Sequence, residues 1–179
     1  FEAKRFLEAS RHYEVLADTA GSLDRARATR LLIRYVDALA ATSSTEKALT
    51  AMDTLLRVAP DDAAALLRVA QVTFEHGAPK RAVELFRDLF ERFGESLKGA
   101  ERATSLYRLG EALRRAGELD AAIPPLEESI EQDPGATDPL VSLAAVYEAK
   151  EDWERTIKTK TLHLDLAGPD ERLQLLIEI

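Results

Sequence analysis

The sequence ATSLYRLGEALRRAGELDAAIPPLEESIEQDPGA, residues 103–136, decides the predicted fold. Its first half places apolar or small residues at i, i+3, i+4 and i+7, the pattern of one helix face: Leu106, Leu109, Gly110 and Leu113. Gly117 interrupts this helix, and a second apolar face follows at Ala122, Leu126, Ser129 and Ile130. Pro134 ends the second helix, because proline cannot continue a helix and disfavours helical geometry in the preceding residue. The stretch predicts two antiparallel helices that cross closely at Gly110 and Ala122.

The same pattern recurs three more times along the chain, with two of the junctions head to tail. The copies begin at residues 29, 63 and 137. In each copy apolar or small residues occupy the corresponding positions of the first helix: Leu32, Tyr35, Val36 and Leu39; Leu66, Val69, Ala70 and Thr73; Leu140, Leu143, Ala144 and Tyr147. Because one helical pair cannot bury its own apolar face, tandem copies predict a stack of pairs with a continuous core.

This pattern resembles the tetratricopeptide repeat (TPR) family, whose signature is W-x2-L-G-x2-Y…A-x3-F…P. The best match is Leu106-x2-Leu109-Gly110-x2-Leu113…Ala122-x3-Leu126…Pro134. The resemblance implies an all-α fold: a right-handed α-solenoid of antiparallel helix pairs, with about nine helices and a concave inner face. It also implies a segment of a larger, bacterial-type TPR protein. Thr156 and Lys160 depart from the family pattern, which carries alanine and an apolar or aromatic residue there. The second helix of the last repeat is therefore the weakest point of the resemblance.

The predicted organisation is a single repeat domain over residues 1–179. A partial repeat at 1–28 is followed by four repeats and a truncated one: 29–62, 63–96, 103–136, 137–170 and 171–179. Extra residues before Ala103 predict a longer first helix or a longer loop in alternate repeats. Pro124–Pro125 predict a second helix that starts late or is slightly bent. Since the sequence begins at Phe1 rather than Met, we expect an excised or processed segment with both ends of the array open.

Composition and charge exclude several classes of function. Of the 179 residues, 46% are hydrophobic and 31% charged, which predicts a soluble globular protein. The absence of cysteine excludes disulfides and cysteine-based metal sites or nucleophiles. No apolar run approaches the roughly 20 residues of a membrane span. The net charge of −8 opposes nucleic-acid binding, which relies on basic surface. The sequence leaves the compartment open and favours the cytoplasm.

Enzyme and cofactor signatures are missing from the sequence. Gly94 and Gly99 have the glycine spacing of a phosphate-binding loop, but Ala100 stands where that loop requires lysine. Glu8 and His12 are four residues apart, as metal ligands on one helix can be, yet two solvated side chains are the simpler interpretation. We therefore predict no enzymatic activity, no cofactor and no metal site.

The TPR resemblance implies that a groove lined by the first helices of successive repeats contacts a partner. Carried onto this chain, the non-core positions of these helices hold an arginine at one equivalent site in three repeats. The predicted groove residues are Ile33, Arg34, Asp37, Leu67, Arg68, Gln71, Phe74, Tyr107, Arg108, Glu111, Arg114 and Arg115. Such an arginine ladder suits an extended or helical peptide with acidic and apolar residues. The alternative is a solvated face, in which arginine pairs with an acidic residue of its own helix.

The predicted function is a non-catalytic scaffold that binds a protein or peptide partner in this groove. We do not expect the carboxylate clamp of chaperone-tail-binding TPRs, because the chain has no asparagine and Asp37 and Glu111 would repel a carboxylate. One alternative is a homo-oligomer that stacks end to end through the apolar segments Phe1–Leu16 and Leu173–Ile179. Another is an enzyme or a small-ligand sensor, for which the sequence shows no convergent polar groups. A HEAT-like array is the rival fold, and the regular thirty-four-residue step favours TPR.

Overall fold

The computed structural model describes residues 2–17, 23–42, 45–168 and 172, and all regular structure in those ranges is helical. The nine described helices are α1 Glu2–Ala17, α2 Arg25–Ala40, α3 Thr45–Val58, α4 Ala63–Glu75, α5 Pro79–Phe93, α6 Gly99–Ala116, α7 Leu119–Gln132, α8 Asp138–Ala149 and α9 Trp153–Leu166. The predicted all-α fold class is confirmed. Apart from Arg172, the truncated repeat 171–179, with the terminal segment Leu173–Ile179, lies outside the residues whose side chains are described, as do residues 1–7 and 16 of the first segment.

The chain divides into two compact units, Phe1–Ala78 (unit 1) and Pro79–Ile179 (unit 2), which are described separately. Unit 1 contains α1–α4, in which α2 packs against α1, α3 and α4. Its core consists of apolar side chains from α2 and α3 that are at most 1% exposed, namely Leu32, Val36, Leu39, Met52 and Leu55. Asp62 starts α4 because its carboxylate accepts a hydrogen bond of 2.9 Å from the amide of Ala65. The single domain over 1–179 stays a prediction.

Unit 2 contains α5–α9. Consecutive helices pack against each other, and α6 also packs against α8. The predicted crossing of α6 and α7 at Gly110 and Ala122 is present. A Cβ atom on Gly110 would lie 2.5 Å from Cγ of Leu126 and 3.2 Å from the carbonyl oxygen of Ala122. Both Ala122 and Leu126 are fully buried. Glycine at this position therefore lets the two helices approach closely.

First helices alternate in length, as the sequence predicted. α2, α4, α6 and α8 have 16, 13, 18 and 12 residues, so the extra residues before Ala103 lengthen α6. The predicted late start of the second helix in this repeat is wrong. α7 begins at Leu119, and Pro124 and Pro125 lie inside it. Because proline has no amide hydrogen, Pro124 and Pro125 donate no helical hydrogen bond to the carbonyls of Asp120 and Ala121. Both carbonyls lie in the first turn, so the helix loses only these two hydrogen bonds.

The polar residues of α9 pack against α8 despite their departure from the family pattern. Thr156 and Thr159 are buried, and their hydroxyls donate to the carbonyls of Asp152 and Arg155 at 2.9 and 2.8 Å. Lys160 pairs with Glu148 of α8, with 2.6 Å between Nζ and Oε1. Backbone carbonyls and one carboxylate thus satisfy the polar groups that this helix turns toward its neighbour.

Candidate partner-binding site

The predicted groove residues of unit 1 lie on α2 and α4. Arg34 is exposed and Ile33 half-buried. Arg68 of α4 donates from Nε to Oδ1 of Asp37 on α2 at 2.5 Å, and from Nη1 to Oε1 of Gln71 at 3.3 Å. Asp37 therefore pairs with the arginine of the next repeat, whereas the solvated-face interpretation paired it with Arg34 of its own helix.

Two further groove candidates in unit 1 are apolar. Leu67 is only 8% exposed, so it offers a partner little surface. Phe74 is half-buried near the end of α4. Among the groove candidates of unit 1, Arg34 is thus exposed, whereas Ile33 on the same helix and Phe74 on α4 are half-buried.

In unit 2 the groove candidates converge on Glu111, which is itself only 4% exposed. Arg114 donates from Nε to Oε2 at 2.7 Å and from Nη2 to Oε1 at 2.8 Å. Arg115 donates from Nε to Oε1 at 2.7 Å. The hydroxyl of Ser142 on α8 donates to Oε2 at 2.9 Å. Two arginines and one serine therefore hold this carboxylate, and it in turn fixes both guanidinium groups.

Electrostatics keep Glu111 ionised. Burial on its own would raise the pKa of its carboxyl group. The hydrogen bonds from Arg114, Arg115 and Ser142 outweigh burial and lower that pKa to about 2. The same bonds raise the pKa of the Arg114 guanidinium. At neutral pH the cluster carries one negative and two positive charges.

Tyr107 stands beside this cluster on α6 and is half-buried. Burial and the nearby negative charges of Asp138 and Glu111 raise the pKa of its phenol. The hydroxyl therefore stays protonated at neutral pH and remains a hydrogen-bond donor.

Sequence reasoning missed Ser142 and Val141. They follow Arg108 and Tyr107 by thirty-four residues, so extending the ladder to the fourth repeat would have found them. Val141 is 51% exposed, in contrast to the buried Ser142. We call Tyr107, Arg108, Arg114 and Arg115 of α6, with Val141 of α8, the α6 face. This face combines basic side chains with exposed apolar surface.

In the described part of the chain, the structure gives no support for a metal centre or a membrane span. Within it, no group of three or more histidine, aspartate or glutamate side chains is arranged to hold a metal ion. None of the described helices has the length and apolar character needed to cross a bilayer.

Comparison with known proteins identifies the repeat type. A family model described as tetratricopeptide repeat matches residues 34–96 and 75–137, which together span more than half of the chain. No curated protein sequence matches the chain. The solved structure of MamA (MSR-1) has a TM-score of 0.77 at 20% identity and covers 96% of this chain and 90% of its own.

Two other solved structures show the same fold. MamA from Desulfovibrio magneticus RS-1 has a TM-score of 0.67 at 18% identity, covering 88% of this chain and 94% of its own. YrrB, described as a TPR protein with an unusual peptide-binding site, has a TM-score of 0.69 at 16% identity, covering 99% and 100%. At these identities the likeness shows the fold alone, and it confirms the predicted class of helical-repeat solenoid.

Proposed function

Because this chain belongs to the tetratricopeptide repeat family, we propose that it is a non-catalytic scaffold that binds a protein or peptide partner through its first helices. TPR modules generally act by binding other proteins rather than by catalysis. The binding surface in unit 2 is the α6 face, and in unit 1 it is the surface around Arg34. The net charge of −8 opposes nucleic acid as a partner and favours a protein or peptide.

The observation that carries the proposal is the fixed orientation of Arg114 and Arg115. Long basic side chains lose conformational entropy when they bind, about 2 kcal/mol for a fully ordered arginine. Here the buried Glu111 already orders both guanidinium groups before a partner arrives. Pre-ordering lowers the entropic cost of binding an acidic peptide. Tyr107 and Val141 add apolar contact beside them.

The test is affinity capture from a lysate of the source cell, followed by titration of the captured partner's peptide. Arg34→Glu/Arg108→Glu reverses two charges of the proposed surface and leaves the Glu111 cluster intact. Arg57→Glu is the matched control, since Arg57 is exposed on the second helix α3. We expect the double variant to weaken binding at least tenfold and the control to change it less than twofold. Equal affinities, or no captured partner, would reject the proposal.

A second candidate is self-assembly, because α9 exposes Trp153 and Ile157 one turn apart, at 61% and 51%. Large apolar side chains in this arrangement are a common basis for association. If the chain assembles through them, its mass by sedimentation velocity will rise with concentration. Trp153→Ala/Ile157→Asp will then abolish the rise, whereas a monomer at high concentration would reject this function.

A further inference from the structure

The groove between α7 and α9 is a second surface of unit 2, distinct from the α6 face. Its floor is α8, and its cavity has a volume of about 490 Å³. The floor is lined by Leu140 and Leu143, and the walls by Ile130, Glu131, Lys158 and Leu162. Glu131 belongs to the α7 wall and Lys158 to the α9 wall, so the two walls carry opposite charges.

One end of this groove is closed by a polar bridge. The Tyr147 hydroxyl donates to Oε1 of Glu127 at 3.0 Å. The Arg155 guanidinium lies over the Tyr147 ring, 5.3 Å from its centroid. Glu127 and Arg155 are therefore committed to the chain itself, and the rest of the groove beyond them is available.

Repeat symmetry provides two grooves for comparison. Between α1 and α3, over α2, Glu14 and Lys47 form an ion pair of 2.6 Å between the two walls. Between α5 and α7, over α6, Arg102 donates to Oε1 of Glu128 at 2.5 Å and to the carbonyl of Gly94 at 2.8 Å. In both grooves the one basic residue of the lining is paired with a carboxylate of the chain itself.

The α7–α9 groove departs from this pattern. Within the described ranges, neither the Glu131 carboxylate nor the Lys158 ammonium group takes part in a hydrogen bond or an ion pair. Leu162 is 47% exposed on the α9 wall, beside the apolar floor of Leu140 and Leu143. The groove thus combines apolar surface with one uncommitted charge of each sign.

We propose that this groove binds an amphipathic helix of a partner protein, whose apolar stripe has one acidic and one basic flank. The apolar floor of Leu140 and Leu143 and the exposed Leu162 suit the apolar stripe of a bound amphipathic helix. The basic flank faces Glu131 and the acidic flank faces Lys158. A helix whose two flanks carry the same charge would place one flank against a wall of like charge. It would therefore bind less tightly than a helix with one acidic and one basic flank.

The test uses three synthetic helical peptides that have the same length and the same row of leucines. Their flanks are mixed (lysine on one side, glutamate on the other), all lysine or all glutamate. We expect fluorescence anisotropy at physiological salt to show the mixed peptide binding at least tenfold more tightly than either uniform peptide. Leu162→Asp should abolish this binding, with an unchanged far-ultraviolet circular dichroism spectrum showing that the chain still folds.

Charge reversal on one wall gives the most specific test, because it should change which of the three peptides binds most tightly. Lys158→Glu makes both walls acidic and should transfer the preference to the all-lysine peptide. Glu131→Lys makes both walls basic and should transfer it to the all-glutamate peptide. Glu91→Lys on α5 makes the same change in net charge outside the groove and should leave the preference for mixed flanks intact.

Three results would overturn the proposal: equal binding of all peptides, a preference that Glu131→Lys and Glu91→Lys change equally, or no binding. Arg34→Glu/Arg108→Glu, which tests the first-helix surface, should leave the affinity for the mixed peptide unchanged. The two proposed surfaces can therefore fail independently.

Discussion

Ser142 on α8 donates a hydrogen bond of 2.9 Å to Oε2 of Glu111 on α6, and so links the first helices of two successive repeats. Both side chains are buried. We expect Ser142→Ala to lower the free energy of unfolding by about 1–2 kcal/mol, because a buried, charged acceptor loses one of its donors. Urea unfolding followed by circular dichroism measures the change.

Ser105 provides a matched control for that prediction. It is equally buried, but its hydroxyl donates at 2.7 Å to the carbonyl of Glu101 in its own helix. That carbonyl can still accept its helical amide bond, and alanine is the better helix former. Ser105→Ala should therefore change the free energy of unfolding by less than about 0.5 kcal/mol. Equal losses in the two variants would show that the link to Glu111 contributes nothing specific.

The Glu111 cluster predicts a loss of stability in acid. The folded-state pKa of about 2 lies below the ordinary value of 4.5. The contribution is therefore complete above about pH 4.5 and falls as the pH drops toward 2. Its upper limit is about 3.5 kcal/mol, since each pKa unit is worth about 1.4 kcal/mol. Between pH 6 and pH 3 this predicts a decrease of about 2 kcal/mol.

Glu111→Gln isolates this effect because glutamine has the shape of the protonated side chain and does not titrate. Urea unfolding of both proteins at pH 6 and pH 3 gives the difference in free energy of unfolding at each pH. That difference should shrink by about 2 kcal/mol on acidification. A constant difference would mean that the pKa of Glu111 is not lowered in the folded chain.

Close approach of α6 and α7 makes Gly110 sensitive to substitution. The added Cβ of Gly110→Ala meets Cγ of the fully buried Leu126 at 2.5 Å. We expect a loss of about 1–3 kcal/mol from overpacking, larger than the gain of about 1 kcal/mol in helix propensity. In a double-mutant cycle, Leu126→Ala removes the obstructing atoms. The double variant should therefore lose less than the sum of the single losses, and strict additivity would contradict the contact.

Helix positions followed from the sequence because their signals are local. α4 (Ala63–Glu75) and α5 (Pro79–Phe93) form the helix pair of the predicted repeat 63–96, with Asp62 as N-cap and Gly77 at φ 72° between them. Glycine adopts this left-handed conformation without steric penalty. Of the two alternatives predicted for α7, a late start or a slight bend, the late start is wrong, because the tertiary packing of Ala122 and Leu126 outweighed the local preference of two prolines.

The candidate site was less accessible to sequence reasoning. The sequence singled out Glu111 as a groove side chain, and the structure shows it as a buried hydrogen-bond acceptor. Arg114 and Arg115 follow it by three and four residues on the same helix, a spacing at which side chains meet, and both donate to its carboxylate. Ser142 belongs to the next repeat, thirty-four residues after Arg108, and its contact depends on how α6 and α8 pack.

The ion pair between Lys160 and Glu148 leads to a prediction about the last repeat. The Lys160 side chain is 17% exposed where the family pattern carries an apolar residue. Lys160→Met should be neutral or stabilise by about 1 kcal/mol, because burying an apolar side chain of similar length offsets a half-exposed ion pair. Lys160→Glu should destabilise by about 2 kcal/mol or more, since it places a like charge against Glu148.

Thermal unfolding of both variants measures the two effects. Lys98→Glu, at an exposed site before α6, controls for the change in net charge. A large loss in Lys160→Met would instead show that α9 depends on the ion pair for its packing on α8.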